Sequence, residues 1–330
     1  MIVIFDMLCA QPIGTMKFHG GGEYTKAVFQ YVANKANELS HCKVEICYDF
    51  NKFIDKWILD LCDRNGIVKH DVKNIADISR IINSKEKGDS IRFFAGMGYN
   101  YNSANVNFSP NVVSIGTFHG LRVLEKSYDA EAWRYGTYKR RIHEFLDWVI
   151  LREHCLKKER THEASAMSNF DFIITVSKHS EYSIKINFPE IANKAMIQTL
   201  YSPQKYISNI SEDNAVSDRY IMMVSADRWL KNSYRGMVAL DGLYEKGYLS
   251  GIKTKVFGNA PAGIRKKLKN VHMFEFYDYV SSNELEKAYA GCEIFFYPSL
   301  NEGFGYPPLE AMKYGKTCVI SAICSLPEVY

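Results

Sequence analysis

The sequence predicts an α/β protein made of two doubly wound, Rossmann-like domains, and three observations carry that prediction. Short apolar runs alternate with helically patterned stretches along most of the chain, as in parallel sheets covered by helices on both faces. The alternation comes as two series, separated by a polar stretch of little periodicity, QKYISNISEDNAVSD from Gln204 to Asp218. The chain has 330 residues, enough for two cores at roughly 150 residues per domain. The expected division is residues 1–205 and residues 206–330.

Ile2–Phe5 reads as the first strand. The opening MIVIFDML lacks a basic leader and carries Asp6 early, so a strand fits it better than a signal peptide. Glu23–Ala36 reads as a helix, with Tyr24, Ala27, Val28, Tyr31 and Val32 on one face. Strands are expected at Val44–Cys47, Ile91–Phe94, Val112–Phe118 and Phe172–Val176. The second series has strands at Tyr220–Val224, Lys255–Phe257, Val271–Phe274, Ile294–Tyr297 and Cys318–Ser321. Helices at Tyr234–Glu245, Asn283–Ala290 and Leu309–Tyr314 lie between them. Thr137–Glu163 breaks the alternation: it is charged and helically patterned, with Ile142, Phe145, Leu146, Val149 and Ile150 in register. Its basic residues Lys139, Arg140, Arg141, Arg152, Lys157, Lys158 and Arg160 could face anionic lipid. Because five acidic residues are interleaved, a long surface helix with a solvated polar face is the simpler expectation. There is no internal repeat and no low-complexity tract.

Composition narrows the function classes. The chain is 47% hydrophobic and 24% charged, with a mean hydropathy of −0.23, which is ordinary for a water-exposed globular fold. A net charge of +4 is too small to argue for a nucleic-acid partner and suits small anionic ligands or an anionic surface. Eight cysteines are scattered without C-x-x-C spacing, which points to reduced, packed thiols in a cytoplasmic protein rather than disulfides or a zinc site. No stretch reaches the roughly 18 uncharged apolar residues of a spanning helix.

The stretch NEGFGYPPLEAMKYGKTCVISA, from Asn301, carries the functional signal. Gly303 and Gly305 follow a strand ending in Tyr297-Pro298 and permit backbone conformations other residues resist. Pro307-Pro308 suits the first turn of a helix, whose start is a ready site for a phosphate. Glu310 is expected in that first turn and Glu302 at the strand side, so acceptors for polyol hydroxyls stand beside donors for a phosphate. A nucleoside-diphosphate sugar presents that pair of groups. In Ser225–Asn232 (SADRWLKN), directly after a strand, Arg228 and Lys231 can set two positive charges on a diphosphate leaving group. Taken alone, both would read as solvated surface cations. His19-Gly20-Gly21-Gly22-Glu23 opens the first helix, but Thr25 stands where a dinucleotide fingerprint needs its third glycine. That argues against a nicotinamide enzyme. His119 sits at the end of another strand.

Seven residues separate Glu302 from Glu310, and PSLNEGFGYPPLEAMKYG resembles the E-x7-E signature of retaining glycosyltransferases of family four, which have the GT-B fold. SSNELEKAYAGCEIFFYPS from Ser281 and the later Ser325-Leu326-Pro327-Glu328-Val329 resemble the same family, as does FDFIITVSKHS from Phe170. The resemblance implies two Rossmann-like domains facing across a cleft. It implies transfer of a sugar from a nucleoside-diphosphate donor to a saccharide or lipid-linked saccharide hydroxyl, with retention, in the synthesis of a bacterial-type surface polysaccharide or glycolipid. It further implies contact of Glu302 with the donor sugar, of Glu310 with the ribose, and of the Gly303–Tyr306 turn, through the N–H groups of Phe304, Gly305 and Tyr306, with the diphosphate or sugar. Arg228 and Lys231 fall to the diphosphate, Gly21 and Gly22 to a glycine-rich loop facing donor and acceptor, and His119 to the donor sugar. With no D-x-D at a strand end, neither metal nor cofactor is expected beyond the donor. A cytoplasmic protein with no nucleic-acid partner is expected, either free or peripheral at the inner face of the membrane, a non-catalytic sugar-nucleotide binder or partner subunit being the alternative. Family members continue past the S-L-P-E-V stretch, so the second domain is expected to be incomplete at Tyr330.

Overall fold

The computed structural model describes residues 1–12, 14, 19–36, 38, 41–86, 88–102, 106, 108–136, 142–143, 145–203, 219–278 and 280–330, without the side chain of Trp148. They form two compact units, Met1–Leu121 with Lys158–Lys205, and Arg122–Lys157 with Tyr206–Tyr330. The stretch expected to divide the chain, Gln204–Asp218, lies outside the described residues. Arg122–Lys157, expected with the first series, clusters with the second.

In chain order the elements are β1 (Ile2–Asp6), α1 (Gly20–Ala36), β2 (Lys43–Tyr48), α2 (Lys56–Arg64), β3 (Val68–Asp71), α3 (Ile75–Asn83), β4 (Ile91–Ala95) and β5 (Val112–Phe118). They continue with α4 (Arg122–Glu125), α5 (Arg152–Met167), β6 (Phe172–Thr175), α6 (Lys178–Asn187), α7 (Pro189–Ala192) and β7 (Met196–Thr199). The second series is β8 (Tyr220–Met223), α8 (Ser233–Glu245), β9 (Lys253–Phe257), α9 (Ala262–Arg265), β10 (Phe274–Tyr277), α10 (Ser282–Gly291), β11 (Ile294–Tyr297), α11 (Tyr306–Lys313), β12 (Thr317–Ile320) and α12 (Leu326–Val329).

The first unit holds a seven-stranded sheet in the order β3-β2-β1-β4-β5-β6-β7, with parallel neighbours throughout. Its central strands are apolar because helices cover both faces: Ile4, Phe5, Ile46 and Phe93 are buried, and Phe29 of α1 meets Phe5 edge-on at 5.5 Å. The second unit holds a parallel five-stranded sheet, β10-β9-β8-β11-β12. Alternate residues of β8 feed two separate cores: Tyr220 and Met222 pack with Phe295, Tyr297 and Leu326, whereas Ile221 and Met223 pack with Met237, Leu240 and Phe274. Two Rossmann-like sheets are therefore present, as expected. In each, strand order reverses beside the first strand of the series, β1 against β4 and β8 against β11. The carboxyl ends of strands at such a reversal are where doubly wound sheets bind ligands.

Three expectations change. The strand expected at Val271–Phe274 begins at Phe274: Val271–Met273 forms a single tight turn, and the strand alternates Phe274 inward with Glu275 outward, where Lys253 meets it at 2.7 Å. Helix α1 starts at Gly20, so the glycines form its first turn rather than a loop ahead of it. The long helix expected over Thr137–Glu163 is not continuous: Leu146–Ile150 winds as a wide π turn, Leu151 departs from helical geometry, and α5 restarts at Arg152. Residues 137–141 and 144 lie outside the described residues. Among the described residues no helix is long and apolar enough to cross a membrane.

Candidate functional site

In the second unit the reversal of strand order brings the end of β8 beside the end of β11. After β8 the chain makes a short loop and a single 3-10 turn, Trp229–Lys231. Two non-glycine residues in the left-handed region bracket that loop, Ser225 at φ 55° and Asn232 at φ 55°. Such conformations are unfavourable for most side chains, and their clustering beside a strand end marks a constrained loop. After β11, Leu300 donates its backbone N–H to Leu230 at 2.7 Å, which ties the two loops together.

This tie carries Lys231 onto Glu302. The ammonium lies 2.5 Å from Glu302 Oε1, and the two side chains are only 6% and 3% exposed. Ser299 donates its hydroxyl to the same oxygen at 2.6 Å, and Tyr297 does so at 2.7 Å while accepting from Lys231 at 2.6 Å. Oε1 thus takes three donors, whereas among the described residues Oε2 accepts none and remains open to a ligand hydroxyl. Burial pushes the Lys231 ammonium down to about 8; the Glu302 charge opposes that, and the neighbouring Arg228 and Arg122 reinforce it. Burial pushes the Glu302 carboxyl up, but attraction to Lys231 and the hydrogen bonds from Lys231, Ser299 and Tyr297 outweigh it and hold the group below its ordinary value. The pair is charged at neutral pH. Arg228 lies close enough to oppose the charge of Lys231 yet remains exposed to solvent.

The turn after Glu302 follows the expected design in part. Gly305 takes φ 96°, and a Cβ there would stand 2.6 Å from Leu326 Cδ2, so the position demands glycine. Gly305 caps α11, and Pro307 and Pro308 lie in its first turn as expected. Prolines carry no N–H. Of the positions an α-helix leaves open at its start, only Gly305 and Tyr306 therefore bring a donor, fewer than a helix tip normally offers an anion. The Tyr330 hydroxyl donates to the Gly305 carbonyl and accepts from Leu309 N–H at 3.3 Å. Ser325 donates its hydroxyl at 3.1 Å toward the carbonyls of both Glu302 and Phe304, pinning the turn from behind. Phe304 is buried and meets Tyr306 edge-on at 5.2 Å. Glu310 is not in the first turn: α11 begins at Tyr306, so Glu310 is its fifth residue, half-buried and paired with Lys313 at 3.1 Å. Gly303 keeps ordinary backbone torsions, and Gly305 alone of the two needs a positive φ.

The segment after β5 belongs to this site too. Glu125 of α4 accepts from Asn301 Nδ2 at 2.6 Å, one residue before Glu302. Asn301 Oδ1 is buried and has no partner among the described residues, an uncompensated acceptor beside the carboxylate. Further along, Tyr135 accepts from the Tyr234 N–H at 2.7 Å, Asp129 pairs with Arg235 at 2.8 Å, and the Arg134 guanidinium sits 4.2 Å from the Tyr234 ring. These contacts hold Arg122–Tyr135 against the start of α8.

The first unit gathers the other expected residues at its own reversal. A Cβ on Gly21 would stand 2.9 Å from Met97, just past β4, and one on Gly22 would stand 3.0 Å from the Cys9 carbonyl. The Gly22 N–H is already given to His19 Nδ1 at 3.1 Å, which removes one donor from the helix start. Gly96 explains why Thr25 can replace the third fingerprint glycine: the close approach is kept, with the glycine moved to the facing strand end, where Thr25 Oγ1 fills the space a Cβ would take. His119 donates Nε2–H to the Gly96 carbonyl at 2.8 Å, which makes its other nitrogen the acceptor in the neutral ring, and it stacks edge-on with Tyr24 at 5.0 Å. The site residues thus fall into two sets, Gly21, Gly22 and His119 in the first unit and Arg228, Lys231 and Glu302 to Glu310 in the second. Tyr297, Ser299, Asn301 and Glu125 were missed by the sequence reading. Tyr297 ends an apolar strand, and nothing in the local pattern sets its hydroxyl apart.

Residues 215–330 match the family described as Glycosyl transferases group 1. The serotype-specific mannosyltransferase WbdA of Escherichia coli is 48% identical over 54 residues, 16% of this chain and 7% of that protein. The O-antigen chain mannosyltransferase B of Escherichia coli is 51% identical over 51 residues, 16% of this chain and 13% of that protein. The matches therefore span a small part of those relatives. Among solved structures, a sucrose-phosphate synthase from Thermosynechococcus elongatus superposes with a TM-score of 0.61 at 12% identity, over 98% of this chain and 82% of that one. WaaG, a glycosyltransferase involved in lipopolysaccharide biosynthesis, gives 0.57 at 14% identity, over 99% and 83%. At such identities the likeness is one of fold, that of GT-B proteins with their two Rossmann-like domains.

Proposed function

We propose that this chain is a retaining glycosyltransferase that moves a sugar from a nucleoside diphosphate to a hydroxyl of a saccharide or lipid-linked saccharide, in the synthesis of a surface polysaccharide. The observation that carries this reading is the buried Lys231–Glu302 pair at the strand reversal of the second unit, inside the segment that matches the glycosyl transferase family. Burying an ion pair is rarely the cheapest way to stabilise a core, so its presence at a ligand-binding strand end argues for function. Lys231 and the exposed Arg228 are placed to balance the charge that develops on a departing diphosphate. They fill the part a divalent cation plays elsewhere, and the reading assigns no cofactor beyond the donor. Glu302 Oε2 and the turn through Phe304, Gly305 and Tyr306 receive the donor sugar, and Glu310 the ribose, once Lys313 yields it. Glu302 is a poor nucleophile, because Lys231, Tyr297 and Ser299 all bond its Oε1. Attack by the acceptor on the face the diphosphate leaves accounts for retention without a covalent step.

The relatives named as mannosyltransferases make mannose the first sugar to try. Thermal-shift titration against GDP-mannose and UDP-, ADP- and dTDP-sugars tests the donor. One donor should raise Tm, a free-energy gain of about 2.7 kcal/mol at a hundredfold excess over Kd. A radiolabelled transfer assay then follows, with Glu302→Ala keeping donor binding and losing turnover. No shift with any activated sugar overturns the reading. A shift without transfer in the unaltered protein assigns it to a non-catalytic binder.

A further inference from the structure

We propose that Asn301 selects among donor sugars: its side-chain oxygen accepts a hydrogen bond from one sugar hydroxyl, beside Glu302. The proposal rests on the sugar-transfer reading above and adds a specificity-determining residue to it. Asn301 is 2% exposed, and its Oδ1 has no partner among the described residues. The amide can face only one way. Its Nδ2 donates to Glu125 Oε2 at 2.6 Å and to Cys324 Sγ at 3.3 Å. Reversed, it would set its oxygen against a carboxylate oxygen, acceptor on acceptor. The backbone is fixed as well. Leu300 N–H bonds the Leu230 carbonyl at 2.7 Å on one side, and Ser325 bonds the Glu302 carbonyl at 3.1 Å on the other. A buried acceptor without a donor weakens a fold, and folded proteins keep few of them without a use.

Two open acceptors stand on consecutive residues, because Glu302 Oε2 likewise accepts nothing among the described residues. Both residues follow β11 at the reversal of strand order, where doubly wound sheets bind ligands. Charge decides what the acceptors take. Lys231 pairs with Glu302, and the Arg228 and Arg122 guanidiniums act on that ammonium. A metal cation brought to these oxygens would meet the positive charge of all three, whereas a hydroxyl brings a donor and no charge. A sugar ring carries hydroxyls on adjacent carbons, so one ring can supply a donor to each of the two residues. Glu125 is then a positioning residue: it keeps Nδ2 occupied and so leaves Oδ1 for the ligand.

Calorimetric titration of the purified full chain tests this. The probes are GDP-mannose and UDP-, ADP- and dTDP-glucose, their singly deoxygenated forms, and the nucleoside diphosphates alone. For the sugar nucleotide that binds, removal of the hydroxyl that meets Asn301 should weaken binding to the parent about tenfold. Asn301→Leu should weaken the intact sugar nucleotide about tenfold, shrink that one deoxy penalty to about twofold or less, and leave the nucleoside diphosphate unaffected. A merely structural asparagine would weaken both ligands alike and leave every deoxy penalty in place. Glu125→Gln, which still accepts from Nδ2, should keep the penalty, and Glu125→Leu should reduce it about threefold. If Asn301→Leu melts too low to titrate, Asn301→Leu with Glu125→Leu, which removes the carboxylate as well, should show the same pattern. Unchanged deoxy penalties in these Asn301 variants overturn the proposal, give Oδ1 to a buried water and leave the sugar-transfer reading standing. Equal losses for nucleoside diphosphate and sugar nucleotide overturn it too. No binding of any sugar nucleotide by the unaltered chain overturns the reading and the proposal together.

Discussion

Substituting Lys231→Met and Glu302→Gln, singly and together, separates what the buried pair does for the fold from what it does for a ligand. Removing one partner of a buried ion pair leaves an uncompensated charge and costs roughly 3–5 kcal/mol. The structure places the two variants at different ends of that range. In Lys231→Met the carboxylate keeps the hydroxyls of Tyr297 and Ser299, so the loss lies near 3 kcal/mol. In Glu302→Gln the ammonium keeps only the Tyr297 oxygen and an amide, so the loss lies near 5 kcal/mol. For a unit of this size, at about 2–4 °C per kcal/mol, the melting transition should fall by about 6–20 °C. The Glu302→Gln deficit also depends on pH. Without the carboxylate, Lys231 titrates below the value of about 8 it has in the pair, so its folded-state pKa lies still further under the unfolded one. A depressed lysine gains stability as pH rises above its folded pKa, so the deficit should shrink toward pH 8 by about 1.4 kcal/mol per unit. The double variant buries no charge and should recover to within about 1 kcal/mol of the parent, yet bind no donor. Urea titrations at several pH values, with donor titration alongside, read all three quantities. Single variants within about 0.5 kcal/mol of the parent would mean that the pair is not desolvated. A double variant as unstable as the two losses added would mean that the residues are not coupled.

Three further outcomes follow from the same geometry. The kcat/KM profile should fall above about pH 8 as the free protein's Lys231 loses its charge, and Lys231→Arg should move that limb beyond the measurable range; a flat profile in the parent to about pH 9.5 would remove Lys231 from the leaving-group role. Tyr297→Phe deletes the hydroxyl that bridges Lys231 and Glu302, and should cost about 1–2 kcal/mol of stability and lower kcat more than donor affinity, as steady-state kinetics would read; an unchanged kcat makes the tyrosine mere packing. Gly305→Ala should destabilise by about 1–3 kcal/mol because of its positive φ and the Leu326 contact, whereas Gly242→Ala, inside α8 with open space around it, should stabilise by about 0.5–1 kcal/mol; calorimetry giving the same sign for both would refute the backbone argument.

What could be read from the sequence was local, and what could not was long-range or half-polar. The Glu302–Glu310 spacing, the prolines of α11 and the apolar central strands all lie within short windows, where periodicity and turn chemistry act. The contact between Lys231 and Glu302 spans 71 residues and that between Glu125 and Asn301 spans 176, so neither has a local signature. Strands β3 (VKHD) and β7 (MIQT) sit at the sheet edges, half-exposed and half-polar, and lack the apolar run that revealed β1 or β4. Helix α3 did carry a signal: Asn74 caps it by accepting from Asp77 N–H, and Ile78 and Ile82 are buried one turn apart. The stripe at 142–151 was legible as a pattern, but a pattern shows only which residues share a face. It does not say whether that face is covered.

The two strand reversals also differ in charge, and that difference bears on the kind of group each, taken by itself, could accept. In the first unit the end of β1 supplies Asp6, 1% exposed, which accepts from the Tyr101 hydroxyl at 2.8 Å and the Leu8 N–H at 2.9 Å and, among the described residues, has no ion-pair partner. Burial pushes that carboxyl up to about 6, so at neutral pH it is largely an uncompensated anion. The helix start beside it has one of its N–H groups given to His19. A diphosphate brought there would meet a like charge and few donors, whereas a neutral polyol would meet glycine backbone and the His119 ring. In the second unit Arg228 and Arg122 stand close enough to act on Lys231, which itself pairs with Glu302. Under the proposed function, a diphosphate arriving there would add negative charge beside these cations, raise the Lys231 pKa and compete for its contact with Glu302.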